Sequence, residues 1–172
     1  KPDEALESIK RAITIGEQLS NEHPDVPEYA NDLAGTYLTS GLLEQSRWRY
    51  SEAISYYESS LELIQSLKEN GQLARRLAGW DEEVEQRIAF CRVAKRALED
   101  LPFVLDQPPT LASKLLLARG MMLLLERSDH IGAAESAEKL AELKVPNDQP
   151  DARTGNLYNA ACLLSLASAI AM

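Results

Sequence analysis

The sequence predicts an all-α fold of about seven helices, and three observations carry that expectation. Apolar residues recur at helical spacing along most of the 172 residues. No stretch shows the apolar–polar alternation of a half-buried strand. Prolines and glycines punctuate the chain so that the loops between helical runs stay below about ten residues, as antiparallel helical neighbours require. Hydrophobic residues make up 45% of the chain but aromatics only 6%. The core must therefore be mostly Leu, Ala and Ile, which are comfortable in helices.

Taken in order, Pro2-Asp3-Glu4 suits a helix start: proline tolerates the first turn, and acids favour the positive end of the helix dipole. Ala5, Leu6, Ile9, Ala12, Ile13 and Leu19 continue that helix as an apolar stripe, and His23-Pro24-Asp25-Val26-Pro27 breaks it. A second helix is expected over about 27–45 and a third over about 49–69, stopped by Asn70-Gly71. These two should form a tight hairpin. Gly41 has no Cβ and admits a close neighbour, Ala53 is the small residue expected against it, and Tyr57 and Ser60 continue one face. The stretch 71–79 is ambiguous, because Gly79 interrupts a helical run. Trp80, Val84, Ile88, Cys91, Ala94 and Leu98 then mark a long fourth helix. Residues 101–109, with Pro102, Pro108 and Pro109, read as a turn-rich connector and the best candidate boundary. A fifth helix is expected over 110–126, a turn over 127–129 and an Ala-rich sixth helix over 131–144. A loop carrying Pro146 and Pro150 over 145–151 precedes a last helix that starts near Ala152 or Gly155. That last helix is uncharged and apolar nearly all round from Leu157 onward, so it should be buried on more than one side or associate with a second copy. As a whole the chain is expected to be one domain over 1–172, with a clear hairpin at 27–69 and a long irregular helix at 73–101. A degenerate hairpin at 109–144 and an unpaired terminal helix at 152–172 complete it.

Internal repetition refines the fold. EALESIKRAITI, from Glu4, parallels EAISYYESSLEL, from Glu52, and AAESAEKLAEL is a fainter third copy through Ala133, Ala137 and Leu140. The shared small-x3-large-x2-small spacing, with Tyr37, Gly41, Ala53, Tyr57 and Ser60 in one run, resembles the tetratricopeptide repeat (TPR). The chain departs from that consensus at Ser40, Glu44 and Gln65, and its interval of 48 residues between Ala5 and Ala53 exceeds the usual ~34. The segments LSNEHPDVPEYANDLAGTYLTSGLL and NLYNAACLLSLAS further resemble the repeat-bearing C-terminal regions of large bacterial Ser/Thr protein kinases. That resemblance implies an irregular TPR-like array, an α–α superhelix, whose repeats mediate protein–protein contacts. No Gly-rich loop, HRD or DFG motif of a kinase domain is present in the sequence.

Composition and residue chemistry narrow the function. A formal net charge of −9 disfavours nucleic acid and anionic membrane surfaces, both of which need clustered Lys and Arg. The last helix falls short of the roughly 20 apolar residues of a membrane span. Cys91 and Cys162 read as buried free thiols of a reducing, cytoplasmic compartment. The first residue is Lys1 rather than Met and no signal peptide is visible, which suggests a fragment of a longer protein. His23 and His130 fall in expected turns with no partner at metal-ligand spacing, and the acids Asp81, Glu82, Glu83 and Glu85 read as a solvated helix start. Arg75 and Arg76, with Arg47 and Arg49, form the one basic excess, and pairing with nearby Glu accounts for it better than a phosphate site does. No catalytic, cofactor-binding or metal site is expected.

In a TPR the first helix of each hairpin lines the ligand face. Carried over by position, the resemblance nominates Leu38, Leu42 and Gln45 on the second helix, Met122 on the fifth, and Asn156, Asn159 and Leu163 on the last as a peptide groove. Gly35, Thr39, Leu115, Ala118, Arg119 and Leu125 accompany them. Leu, Met and amide side chains suit an amphipathic helix or an extended apolar peptide. The competing reading makes the same residues plain core under the fourth helix. The expected function is a non-catalytic protein-interaction or scaffolding module, the alternative being a structural spacer or oligomerisation segment without a dedicated ligand.

Overall fold

A computed structural model describes residues 2–143 and 150–170 of the chain, with side chains over 7–143 and 155–169. The regular structure among the described residues is all helical, with no strand. Eight α-helices follow in order: α1 (Pro2–Glu22), α2 (Pro27–Ser46), α3 (Tyr50–Glu69), α4 (Trp80–Glu99), α5 (Leu101–Leu105), α6 (Pro109–Arg127), α7 (His130–Glu142) and α8 (Pro150–Ile170). A single 3₁₀ turn, Arg75–Leu77, precedes α4. The chain divides into two compact units, residues 1–92 and 93–172, and the division falls within α4.

In the first unit α2 and α3 make the most extensive helix pair, and α1 packs on α2 through Ile13 and through Gly16, which lies against Leu33. The α2–α3 turn is only three residues long, with Trp48 in the left-handed region at φ 65°. Glu44 holds it twice. Its backbone carbonyl accepts from the amides of Arg47 and Arg49, and its buried carboxylate stands 3.9 Å from one guanidinium nitrogen of Arg47 and 3.7 Å from one of Arg49. Across the hairpin, the side chain seated on Gly41 is Tyr57, not the expected Ala53: the ring occupies the space a Cβ at Gly41 would take. Tyr57 and Ala53 are both fully buried, and the Tyr57 hydroxyl donates to Gln45 Oε1 at 2.6 Å. Ser60, the next position on this face, donates across the hairpin to the Ala34 carbonyl at 2.8 Å.

Gly71, at φ 67°, ends α3 in a Schellman turn: its amide bonds the Lys68 carbonyl, and the Gln72 amide bonds the Leu67 carbonyl at 2.8 Å. The segment that follows is pinned by Asn31 of α2. The buried Asn31 amide accepts from Ala74 N at 2.7 Å and donates to the Gln72 carbonyl at 3.0 Å and to the Pro27 carbonyl at 2.8 Å. Leu77 is buried in the core, as are Val84, Ile88 and Cys91 of α4.

Burial in this unit has an electrostatic consequence. It lifts the Cys91 thiol from an ordinary 9.0 to about 11 and the Tyr57 phenol from 10.0 to about 12. Both groups are neutral when protonated, and the folded chain holds these protons more tightly than the unfolded chain. Their contribution to stability is therefore complete below pH 9 and is lost as pH rises through 9.0 to 11 for Cys91 and 10.0 to 12 for Tyr57. The urea midpoint should fall across that window, and Cys91→Ala should move the start of the fall from near pH 9 to near pH 10. A midpoint constant to pH 12 would contradict this assignment.

In the second unit, the segment expected to be a connector contains the five-residue helix α5. Its prolines do not prevent this, since Pro102 sits in the first turn, where no intrahelical amide is needed, and the Asp100 carboxylate caps that turn by accepting from Phe103 N at 2.9 Å. This extra helix is why eight are found rather than about seven. Arg119 of α6 donates to the Ala97 carbonyl at 2.9 Å and to that of Leu98, satisfying acceptors at the end of α4. Asp129 caps α7 by accepting from Gly132 N at 2.9 Å, so His130 opens a helix rather than lying in a turn. Ala133, Ala137 and Leu140 of α7 are all fully buried, as Ala53, Tyr57 and Ser60 are in α3. The α1 copy of the pattern behaves differently: Ala12 is exposed and Ile9 half-buried. α8 packs on α7 and α6, burying Ala160, Leu163 and Ala167, and Leu163 sits directly over Gly120, in the space a Cβ would need. Cys162 is exposed, against the expectation of a buried thiol, because its side of α8 faces away from both neighbours. The expected loop over 145–151 lies almost wholly outside the described residues, as do the side chains of Ala5, Leu6, Ile170 and Ala171.

Candidate functional site

Among the described residues no group of three His, Cys, Asp or Glu side chains is placed to hold a metal, and no helix is long and apolar enough to cross a membrane. The chemistry on offer is that of helix surfaces and the hollows between them.

The nominated groove residues separate by burial. Leu38, Met122, Asn156 and Leu163 are buried, Gln45 and Asn159 are half-buried, and Leu42 is exposed. Leu38 belongs to the core of the first unit, and Gln45 is engaged by the Tyr57 hydroxyl. Met122 is core of α6, and Leu163 is occupied by its contact with Gly120. What α2 leaves open lies nearer its N-terminus. A hollow of about 430 Å³ is walled by Asn31, Asp32, Gly35 and Thr39 of α2, with Arg76 and Trp80 on the other side. An added Cβ at Gly35 would meet nothing within 4 Å. Asp32 and Arg76 form an ion pair at this hollow, both well exposed, so it contributes little to stability. Arg76, Arg47 and Arg49 thus all face carboxylates, Arg47 and Arg49 sharing the one on Glu44.

In the second unit Asn156 and Asn159 of α8 face the first turns of α6 across a cavity of about 300 Å³, lined also by Thr110, Ser113, Lys114 and Gly155. The Ser113 hydroxyl donates to Asn156 Oδ1. A third hollow, about 360 Å³, runs between α7 and α8 beside Ile131 and Leu164, with Glu135 and Glu138 at its edge. Next to it α8 exposes Leu157, Tyr158, Leu164 and Leu166.

Sequence reasoning brought Gly35, Thr39, Asn156 and Asn159 to open walls and missed Asn31, Asp32, Arg76 and Trp80. Trp80 read as a core residue of α4, yet it is half-buried and stands in the wall of the first hollow. Compared with protein-family models, curated proteins and solved structures, the chain matches none.

Proposed function

We propose that this chain is a non-catalytic protein-interaction module of TPR-like construction, a piece of the repeat region of a larger bacterial regulatory protein such as a cytoplasmic Ser/Thr kinase. In this reading α2 and α3 are one repeat hairpin, α6 and α7 a degenerate second, and α8 the first helix of another. The observation that carries it is the α2–α3 pair: Tyr57 fills the notch at Gly41, while Gly35 and Thr39, on the same helix, border open space. A first helix closed against its partner and open along another face is what a peptide-binding hairpin requires. The test is capture on the immobilised chain, alongside Gly35→Trp. Because nothing lies within 4 Å of a Cβ at Gly35, the variant should keep its helicity and melting temperature while filling the hollow. A protein partner held by the parent and lost by Gly35→Trp supports the reading. The same partner held equally by both removes α2 from the interface.

A second reading, a spacer that associates with itself, is favoured by the outer face of α8. Leu157, Tyr158, Leu164 and Leu166 are each exposed around the solvent side of a helix that carries no charge after Arg153. Covering them in a dimer gains about 25 cal/mol per Å² of apolar surface before the cost of association. Light scattering over a wide concentration range should show oligomers of the parent and none of Leu164→Glu/Leu166→Glu. A parent that stays monomeric throughout ends this reading.

A further inference from the structure

We propose that the cavity between α6 and α8 is an oxyanion subsite that takes a carboxylate of a peptide partner, with the Asn156 amide as its principal donor. Asn156 is 6% exposed, and its Nδ2 is buried without a hydrogen-bond partner among the described residues. Its other end is engaged, because the Ser113 hydroxyl donates to Oδ1, and the two N–H donors are unused. Unsatisfied donors are rare in folded chains, and the residue that carries this one, Asn156, is among those lining the cavity.

The rest of the lining says which acceptor. The cavity borders the first turn of α6, the positive end of a 19-residue helix that has no acidic residue in that turn and no side-chain cap from its N-cap Pro108. Lys114 adds a full positive charge. Among the described residues no Asp or Glu lines the cavity. Forked N–H donors beside an ammonium group match a carboxylate, and a neutral carbonyl would leave the Lys114 charge unanswered. Gly155, with nothing within 4 Å of a Cβ, keeps the facing wall open.

This assignment deepens the interaction reading and rests on it for the peptide nature of the ligand. The titration uses a small probe on the intact chain, so the subsite and the interaction reading fail separately. N-acetylglycine, N-acetylglycinamide and inorganic phosphate are each titrated at 0.15 M salt while the side-chain amide resonances of Asn156, assigned by their loss in Asn156→Asp, are followed by nitrogen-15 NMR. N-acetylglycine should shift them saturably, and the amide should bind at least about tenfold more weakly. Asn156→Asp keeps the acceptor for Ser113 but replaces the donors with a negative charge, and should abolish the binding seen at backbone resonances of Thr110 and Lys114. Lys114→Met, an exposed change, should weaken binding about threefold with the rest of the spectrum unmoved. Equal shifts by the acid and its amide, tighter binding of phosphate, or no saturable shift in the folded parent each overturn the proposal.

Discussion

Tyr57→Ala should cost the first unit about 3–5 kcal/mol, a large part of the roughly 5–15 kcal/mol that holds a typical domain together. Tyr57 is fully buried, fills the notch left by Gly41, and donates to Gln45. Truncation opens a cavity at the centre of the hairpin and frees a half-buried amide. Both tryptophans, Trp48 and Trp80, lie in the first unit, so the urea transition read by tryptophan fluorescence reports on it directly. That transition should move to much lower urea. A companion change identifies the contact. Gly41→Ala in the parent forces a methyl into the Tyr57 ring, a cost of about 1–3 kcal/mol, partly offset by about 1 kcal/mol of helix propensity. In the Tyr57→Ala background the ring is gone, and Gly41→Ala should become neutral or stabilising. Additive effects would mean that Gly41 meets some other side chain, Ala53 included.

Much of the fold was legible because its punctuation is local. Pro24 and Pro27 separate α1 from α2, Asn70-Gly71 stops α3, and Ser128-Asp129 divides α6 from α7, each by a backbone rule that acts within a few residues. The small-large-small spacing was legible for a different reason: a helix that must approach another closely needs Ala or Ser where they meet, and those positions are buried in α3 and α7. α5 was missed because three prolines in nine residues look like a connector, whereas the first turn of a helix tolerates them once Asp100 supplies a cap. The candidate groove was legible only in part. Periodicity says which residues share a helix face, but not what covers that face, so Leu38 and Leu42, one turn apart on α2, end up buried and exposed. Asn31 was invisible as a structural element because its partners, Gln72 and Ala74, are more than 40 residues away. Cys162 was misjudged because a helix apolar all round carries no direction in its sequence.

That same lack of direction makes α8 the place for the sharpest contrast. Leu163→Glu and Leu166→Glu put the same charge three residues apart on the uncharged part of one helix, and they should have opposite outcomes. Leu163 is 1% exposed and rests over Gly120, so a carboxylate there would be withdrawn from solvent. Burying that charge unpaired, or protonating it and still losing the packing, should cost on the order of 4 kcal/mol or more. The α6–α8 contact should then be lost, with a drop in helicity and a lower melting transition by circular dichroism. The milder Leu163→Ala leaves a cavity over Gly120 and should cost about 2–5 kcal/mol. Leu166 is 46% exposed, so Leu166→Glu should change stability by no more than about 0.5 kcal/mol, and its effect should appear only in self-association. If Leu163→Glu melts like the parent while Leu166→Glu collapses, α8 packs through the face that carries Leu166. The Gly120 notch would then hold a different side chain, and the cavity at Asn156 would go with it.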